Sequence, residues 1–96
     1  MKKFMILTYG FVPPTQEIMA AWGQWFGSIA DKIADHGGHF SAGREISDAG
    51  TRDLPLGIES ITGFLIINAE NLDEAEKIAQ ACPHITSTRV YEMMTK

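Results

Sequence analysis

The sequence predicts a single α+β domain whose elements follow the order β-α-β-β-α-β. Two observations support this fold class. Residues 4–9 and 61–68 carry apolar residues on both alternating faces, as do strands that are covered on both sides. Each of these runs is followed by a segment with helical periodicity. At 96 residues, with 45% hydrophobic and 21% charged residues, the whole chain 1–96 has the size and composition of one globular domain.

The first strand and the first helix are marked by their boundaries. Strand 4–9 (FMILTY) ends before Pro13-Pro14, and Thr15 then offers a hydroxyl group that can cap a helix. We expect one helix from Gln16 to Asp35, terminated by Gly37-Gly38. Its apolar face would consist of Ile18, Met19, Trp22, Trp25, Phe26, Ile29 and Ile33.

Residues 39–46 predict a half-exposed edge strand. Phe40, Ala42 and Ile46 lie in phase with one another, whereas Arg44 breaks the pattern. The next nine residues, SDAGTRDLP, are typical of a turn-rich loop.

The second half of the chain repeats the strand-helix-strand order. Strand 61–68 leads to Asn71, which begins a sequence typical of a helix N-terminus, and Pro83 ends that helix. Its apolar stripe would contain Leu72, Ala75, Ile78, Ala79 and Cys82. Residues 87–94 form a last strand of mixed character.

This order of elements is that of ferredoxin-like folds, in which the first and third strands are central. The two apolar strands occupy these central positions, and the two mixed strands fall at the edges. Two helices can cover only one face of such a sheet, yet the central strands are apolar on both faces. We therefore expect a second copy of the chain to cover the other face, which gives a homodimer.

Charge and cysteine content exclude several classes of protein. A net charge of −4 without a basic cluster disfavours a nucleic-acid partner. The apolar runs are far shorter than the ~20 residues that a membrane-spanning helix needs. Thr8, Tyr9 and Gly10 interrupt the first run, so it is a poor signal peptide. The single cysteine, Cys82, suits a reducing compartment, so we predict a cytoplasmic protein without membrane association.

Three segments resemble one protein family. EIMAAW in the first helix, GFLIINAENLDEAEKIAQACP across the third strand and second helix, and VYEMM in the last strand are similar to the YCII-related proteins, including the DGPF-type members. The resemblance spans nearly the whole chain. It implies a dimeric α/β barrel, in which two four-stranded sheets pack face to face and enclose a cavity or cleft.

The resemblance does not extend to the acid–base residues of the family. It implies a histidine on the first helix and an aspartate before the proline that follows the second helix. These positions fall on Phe26 and Cys82 in this chain, and LGIES replaces the DGPF tetrapeptide. The family's activity therefore cannot be transferred, and the catalytic residues remain unknown.

Two chemical clusters have simpler structural interpretations. His36, His39 and His84 include the residue types of an open zinc site, but the first two flank the predicted helix stop and share no helical face, so we expect no metal. Cys82 and His84 have the residue types of a nucleophile and its base. Because Cys82 continues an apolar stripe, a buried structural thiol is the favoured interpretation.

We predict that the protein binds an unidentified small molecule, without a cofactor, in the barrel cavity or cleft. Aromatic walls and a few polar groups are typical of such sites. Arg44 and Arg89 suit a carboxylate, although a surface ion pair explains either one alone. The predicted ligand-binding residues are Tyr9, Trp22, His39, Arg44 and His84.

Two alternatives remain open. The first is an enzyme, hydrolase-like or oxygenase-like, that uses Tyr9, His39, Arg44 or His84 for proton transfer in the same cleft. The second is a structural or regulatory interaction module whose core is filled by side chains. A ligand-sized space would separate the first two functions from the third.

Overall fold

The computed structural model describes residues 1–94 and shows a four-stranded antiparallel sheet with two helices on one face. The sheet order is β2-β5-β1-β6, so the two apolar strands β1 and β5 are central. This confirms the α+β class and is compatible with a ferredoxin-like topology. The elements are β1 Lys2–Tyr9, α1 Gln16–Ser28, a 3₁₀ turn Ala30–Lys32, β2 Ile33–His39, β3 Gly43–Ser47, β4 Gly50–Leu54, β5 Ile61–Ala69, α2 Leu72–Gln80 and β6 Ser87–Glu92.

The hydrophobic core lies between the sheet and the two helices. Alternate residues of β1 and β5 are fully buried there, and α1 enters this layer through Trp25. The Trp25 Nε1–H donates a hydrogen bond of 3.0 Å to the Ile78 carbonyl, which ties α1 to α2. The core residues are Phe4, Ile6, Trp25, Ile29, Leu65, Ile67, Ala69, Ala75, Ala79 and Cys82.

Both predicted helix starts are confirmed. The Thr15 hydroxyl accepts a hydrogen bond from the Ile18 N–H at 3.2 Å, and the Asn71 side chain accepts one from the Glu74 N–H at 2.9 Å. Such bonds satisfy main-chain donors that have no partner within the helix. In the part of the chain that the structure describes, neither helix combines the length and apolar character needed to cross a membrane.

The prediction that the first helix extends to Asp35 is wrong, because α1 ends at Ser28. The chain then turns and enters β2, where Ile33 pairs with Ile67. Gly37 has a φ of 65°, and a Cβ there would collide with the Phe64 carbonyl oxygen. The glycine pair is therefore an irregularity within an edge strand, where close approach to β5 requires glycine.

The prediction of an edge strand at 39–46 is also wrong. The edge strand is β2, and residues 43–54 form a hairpin, β3–β4, that pairs only with itself. Arg52 donates two hydrogen bonds to Glu45, at 3.0 and 3.2 Å, which hold the pKa of that carboxyl below its usual range. Cross-strand charge pairing therefore determines this register more than the apolar phase of Phe40 and Ile46 does.

Two other boundaries are shorter than predicted. The helix α2 ends at Gln80 rather than beside Pro83, and β6 ends at Glu92 rather than at Met94. Element ends are the least certain part of any pattern-based prediction.

Both helices lie on one face of the sheet, so the opposite face has no helix packed on it. We call it the open face and define it by Met5, Leu7, Phe64, Ile66 and Tyr91. The first four are only half-buried, and Tyr91 is 53% exposed. The centre of this face is therefore apolar, and within residues 1–94 neither helix packs on it.

Candidate ligand-binding site

A cavity of about 580 Å³ lies between α1 and one end of the sheet, and we call it the α1 cavity. Trp25 in α1 and Ile29 directly after it fix the end of the helix in the core. One side of α1, formed by Ile18, Met19, Trp22, Gly23 and Phe26, borders the cavity. The lining residues are Thr8, Tyr9, Gly10, Phe11, Val12, Pro14, Ile18, Met19, Trp22, Gly23, Phe26, His36, Gly38, His39, Phe40, Thr62, Gly63, Phe64, Leu65, Pro83, Ile85, Ser87 and Thr88.

A row of four residues crosses the whole sheet beneath this cavity. His39 on β2 pairs with Gly63 on β5, Gly63 pairs with Thr8 on β1, and Thr8 pairs with Thr88 on β6. Three strand spacings separate the ends of the row, a distance of about 14 Å. The row therefore places hydrogen-bonding side chains along the length of an elongated cavity.

Gly63 keeps the middle of this row free of a side chain. A Cβ at this position would lie 3.0 Å from the Gly38 carbonyl oxygen and 3.4 Å from the Thr8 hydroxyl oxygen. Both contacts are tighter than, or at the limit of, ordinary van der Waals packing. Glycine thus permits close approach of β2 and adds depth to the cavity.

Aromatic side chains form much of the wall. Trp22 meets Trp25 edge-to-face, with ring centroids 5.6 Å apart, and lies 5.8 Å from the Phe26 ring. Phe40 borders the cavity too, but its ring stacks at 5.7 Å on Phe64, a residue of the open face. Such walls suit an apolar or planar ligand.

The β1–β5 end of the cavity contains a pair of threonine hydroxyls. The Thr62 hydroxyl lies 3.2 Å from the Thr8 carbonyl oxygen and 3.1 Å from that of Gly10. The Thr8 hydroxyl lies 3.3 Å from the Thr62 hydroxyl and 3.4 Å from the Gly63 carbonyl oxygen. Both hydroxyls are therefore fixed by contacts within the protein.

A second polar cluster joins the end of α2 to β6. Thr88 Oγ1 lies 2.7 Å from His84 Nδ1 and 3.4 Å from Cys82 Sγ, and His84 Nε2 lies 3.3 Å from the Gln80 carbonyl oxygen. Burial raises the pKa of the Cys82 thiol, although the hydrogen bond with Thr88 acts in the opposite direction. Cys82 is buried, as predicted, and its raised pKa makes it a poor nucleophile at neutral pH.

Three of the five predicted site residues border the α1 cavity, namely Tyr9, Trp22 and His39, although the Tyr9 ring lies against Arg89. His84 does not border the cavity but contacts Thr88, which does. Arg44 lies on the exposed hairpin, where it forms an ion pair of 3.2 Å with Asp53. Arg44 was predicted at the site because residues 39–46 were interpreted as an edge strand of the main sheet.

Arg89 also lies away from the cavity. It pairs with Leu7 on the opposite side of the sheet from Thr88, and its guanidinium carbon lies 4.7 Å from the centre of the Tyr9 ring. Neither arginine that the sequence suggested for carboxylate recognition therefore lines the α1 cavity.

Sequence reasoning missed the three threonines Thr8, Thr62 and Thr88. Their spacing in the chain is unremarkable, and only the register of β1, β5 and β6 brings them together. Within residues 1–94, no group of three or more His, Cys, Asp and Glu side chains could hold a metal ion. His36 and His39 both border the cavity, whereas His84 contacts a different part of its wall.

The fold and the site define an α+β domain with an aromatic-walled cavity between sheet and helix. Comparison with protein-family models and with curated proteins finds no match to this chain. The family suggested by the sequence stays a prediction, so the function is argued from the site itself.

Proposed function

We propose that this protein binds a small, neutral, mainly apolar molecule in the α1 cavity. The observation that carries the proposal is the cavity of about 580 Å³ with aromatic walls and a few convergent hydroxyl groups. Its size and lining fall within the range of small-molecule sites. A structural module would gain stability by filling this space with side chains, so the cavity favours binding over that alternative.

The charge of the lining supports a neutral ligand. Of the described residues that border the cavity, none is Asp, Glu, Lys or Arg. A charged ligand would lose its hydration without gaining an ionic partner, which is costly in an apolar site.

The enzyme alternative receives less support from this lining. Proton transfer at the cavity would rely on His36 or His39, and both side chains are exposed. No carboxylate among the described lining residues is placed to orient either ring, as the bases of acid–base sites usually require. Binding without turnover is therefore the function that we propose first.

The proposal includes a cytoplasmic homodimer formed through the open face, with the YCII-related group as its family. Four strands about 4.8 Å apart and eight residues long present roughly 500 Å² before side-chain relief is counted. A stable interface buries about 800 Å² per partner. The exposed hairpin β3–β4, with Ile46 at 79% exposure, offers further apolar area to the partner.

Two glycines of α1 offer a matched test of the cavity. Gly23 borders it and Gly27 does not, and a Cβ at either position would meet nothing within 4 Å. Leucine is the better helix former by roughly 0.8 kcal/mol, so neither replacement should weaken α1. We expect Gly23→Leu to weaken binding of a neutral aromatic probe such as indole, and Gly27→Leu to leave it unchanged.

The measurement is a titration of the ¹⁵N-labelled protein with indole, followed by amide and indole N–H chemical shifts. We expect the largest changes at Gly63, Thr8 and the Trp22 side chain. Changes confined to the open face, around Ile66 and Tyr91, would contradict the proposed site. So would equal weakening of binding by the two leucine variants.

A further inference from the structure

The hydroxyl groups of Thr8, Thr62 and Thr88, which we call the floor threonines, determine what kind of polar group a ligand can present. A threonine hydroxyl has one hydrogen to donate and two lone pairs that accept. Where that hydrogen is already donated to another group of the protein, only the lone pairs of the hydroxyl oxygen are available to a ligand. The contacts of each floor threonine show where its hydrogen goes.

The hydrogen of Thr88 is directed by His84. His84 Nε2 faces the Gln80 carbonyl oxygen at 3.3 Å, and a carbonyl only accepts, so Nε2 carries the ring hydrogen of the neutral imidazole. The Nδ1 atom is then an acceptor. Thr88 Oγ1, 2.7 Å away, must donate to it.

Cys82 also contacts the hydroxyl oxygen of Thr88. Its sulfur lies 3.4 Å from Thr88 Oγ1 and 3.7 Å from His84 Nδ1. The one lone pair of Nδ1 already accepts from Thr88, so the S–H of the neutral thiol donates to Oγ1. One lone pair of Thr88 remains, on a residue that borders the cavity.

The hydrogens of the other two floor threonines are also used within the protein. The polar contacts of Thr62 Oγ1 include two main-chain carbonyl oxygens, at 3.1 and 3.2 Å, so its hydrogen goes to one of them. The hydrogen of Thr8 then goes to the Thr62 hydroxyl at 3.3 Å or to the Gly63 carbonyl at 3.4 Å. All three hydroxyls keep their hydrogens away from the cavity.

We propose that the floor threonines form an acceptor-only surface that selects ligands carrying a hydroxyl or amino donor on an aromatic body. This inference rests on the proposed binding function and narrows its ligand class. A phenol or an aryl amine matches both the walls and the floor. An ether offers no donor, and a carboxylate would place its oxygens against lone pairs in a cavity whose described lining has no lysine or arginine.

The test compares three naphthalene probes by isothermal titration calorimetry: 2-naphthol, 2-methoxynaphthalene and 2-naphthoate. We expect the wild-type protein to bind 2-naphthol roughly 2- to 12-fold more tightly than the methyl ether, the factor that one neutral hydrogen bond contributes. We expect 2-naphthoate to bind more weakly than either.

Variants at Thr88 test whether the preference for 2-naphthol over its methyl ether arises from the floor threonines. Thr88→Val keeps the side-chain shape and removes the acceptor, so the preference for 2-naphthol should fall, whereas Thr88→Ser should keep it. Thr51→Val, on the exposed hairpin, is the matched control and should behave as wild type. Each variant is measured with both neutral probes. The steric effect of the extra methyl group on the ether therefore cancels when the preferences of wild type and variant are compared.

The outcomes separate this inference from the function on which it rests. If wild type binds 2-naphthol and its ether equally, the acceptor-only floor is wrong and the cavity function stands. If it binds 2-naphthoate most tightly, the acceptor-only floor and the proposed neutral ligand are both wrong. If no probe binds, the floor and the cavity function are both wrong. An unchanged preference in Thr88→Val overturns the role of Thr88, and if that variant does not fold, loss of the preference in Thr88→Ser does the same.

Discussion

At the scale of single residues, the site depends on what each side chain can donate, accept or leave empty. Gly63 leaves space in the middle of the sheet between His39 and Thr8, and Thr88 follows Thr8 on the next strand. His84 acts through Thr88, since it fixes the direction of that hydroxyl without bordering the cavity. The direction of each hydroxyl hydrogen therefore determines which polar groups a ligand can present to the site.

Cys82 gives a prediction at this scale, because burial raises the pKa of its thiol. The folded protein holds this proton more tightly than the unfolded chain does. The resulting stability is fully present below the thiol's unfolded pKa, about 8.5, and is lost as pH rises from there through the folded pKa. Urea unfolding should therefore show a steeper loss of stability above about pH 8.5 in wild type than in Cys82→Ala.

Two further measurements test the burial of Cys82. At pH 7 the alanine variant should be less stable by about 1 kcal/mol, the usual cost of removing a small buried group. At neutral pH the native thiol should react slowly with a disulfide reagent and quickly in urea. Fast reaction in the folded protein would show that Cys82 is exposed or ionised.

At the scale of elements, the main departure from the sequence pattern is the short first helix. The apolar positions 18, 22, 25, 29 and 33 continue in helical phase into β2, so the pattern by itself cannot show where α1 ends. Ile33 is apolar because it packs on the core from a strand, opposite Ile67. One side chain can satisfy either periodicity when it lies at the junction of two elements.

Gly37 and Gly38 provide a matched test of the β2 irregularity. Gly37 has a positive φ and no room for a Cβ, whereas a Cβ at Gly38 would meet nothing within 4 Å. Gly37→Ala should lower the free energy of unfolding by about 2 kcal/mol or more, since it adds left-handed strain to a collision with β5. Gly38→Ala should change it by less than about 0.5 kcal/mol.

Chemical denaturation of the two variants measures this difference. Equal effects would favour the helix-stop interpretation of the glycine pair, in which neither position contacts another strand.

At the scale of the whole molecule, the chain is more extended than a compact domain of its length. Its radius of gyration is 14.4 Å, against about 12.5 Å expected for a compact domain of this length. The hairpin β3–β4 has almost all of its residues exposed, and among the described residues it pairs with no other strand. An isolated hairpin is marginally stable in water, so its order favours contact with a second copy.

Adjacent residues of β5 test the homodimer. Ile66 lies on the open face and Leu65 in the core. Ile66→Asp should give a folded monomer in sedimentation equilibrium, because the carboxylate is exposed once the partner leaves. Leu65→Asp should unfold the chain, since an unpaired buried carboxylate costs several kcal/mol.

Circular dichroism of both variants checks which of them remains folded. A wild-type protein that sediments as a monomer at micromolar concentration would contradict the dimer, and Ile66→Asp would then have no effect on mass.

The sequence by itself determined the α+β class, the central position of β1 and β5, and both helix caps, because each depends on local chemistry or on periodicity along one strand. It also predicted Tyr9, Trp22 and His39 as ligand-binding residues; all three border the α1 cavity, and their role in binding stays a prediction. Only the tertiary structure decided that 43–54 form a separate hairpin and that α1 stops at Ser28. Only cross-strand register placed Thr8 and Thr88 side by side, since pairing between residues 80 positions apart leaves no trace in local sequence.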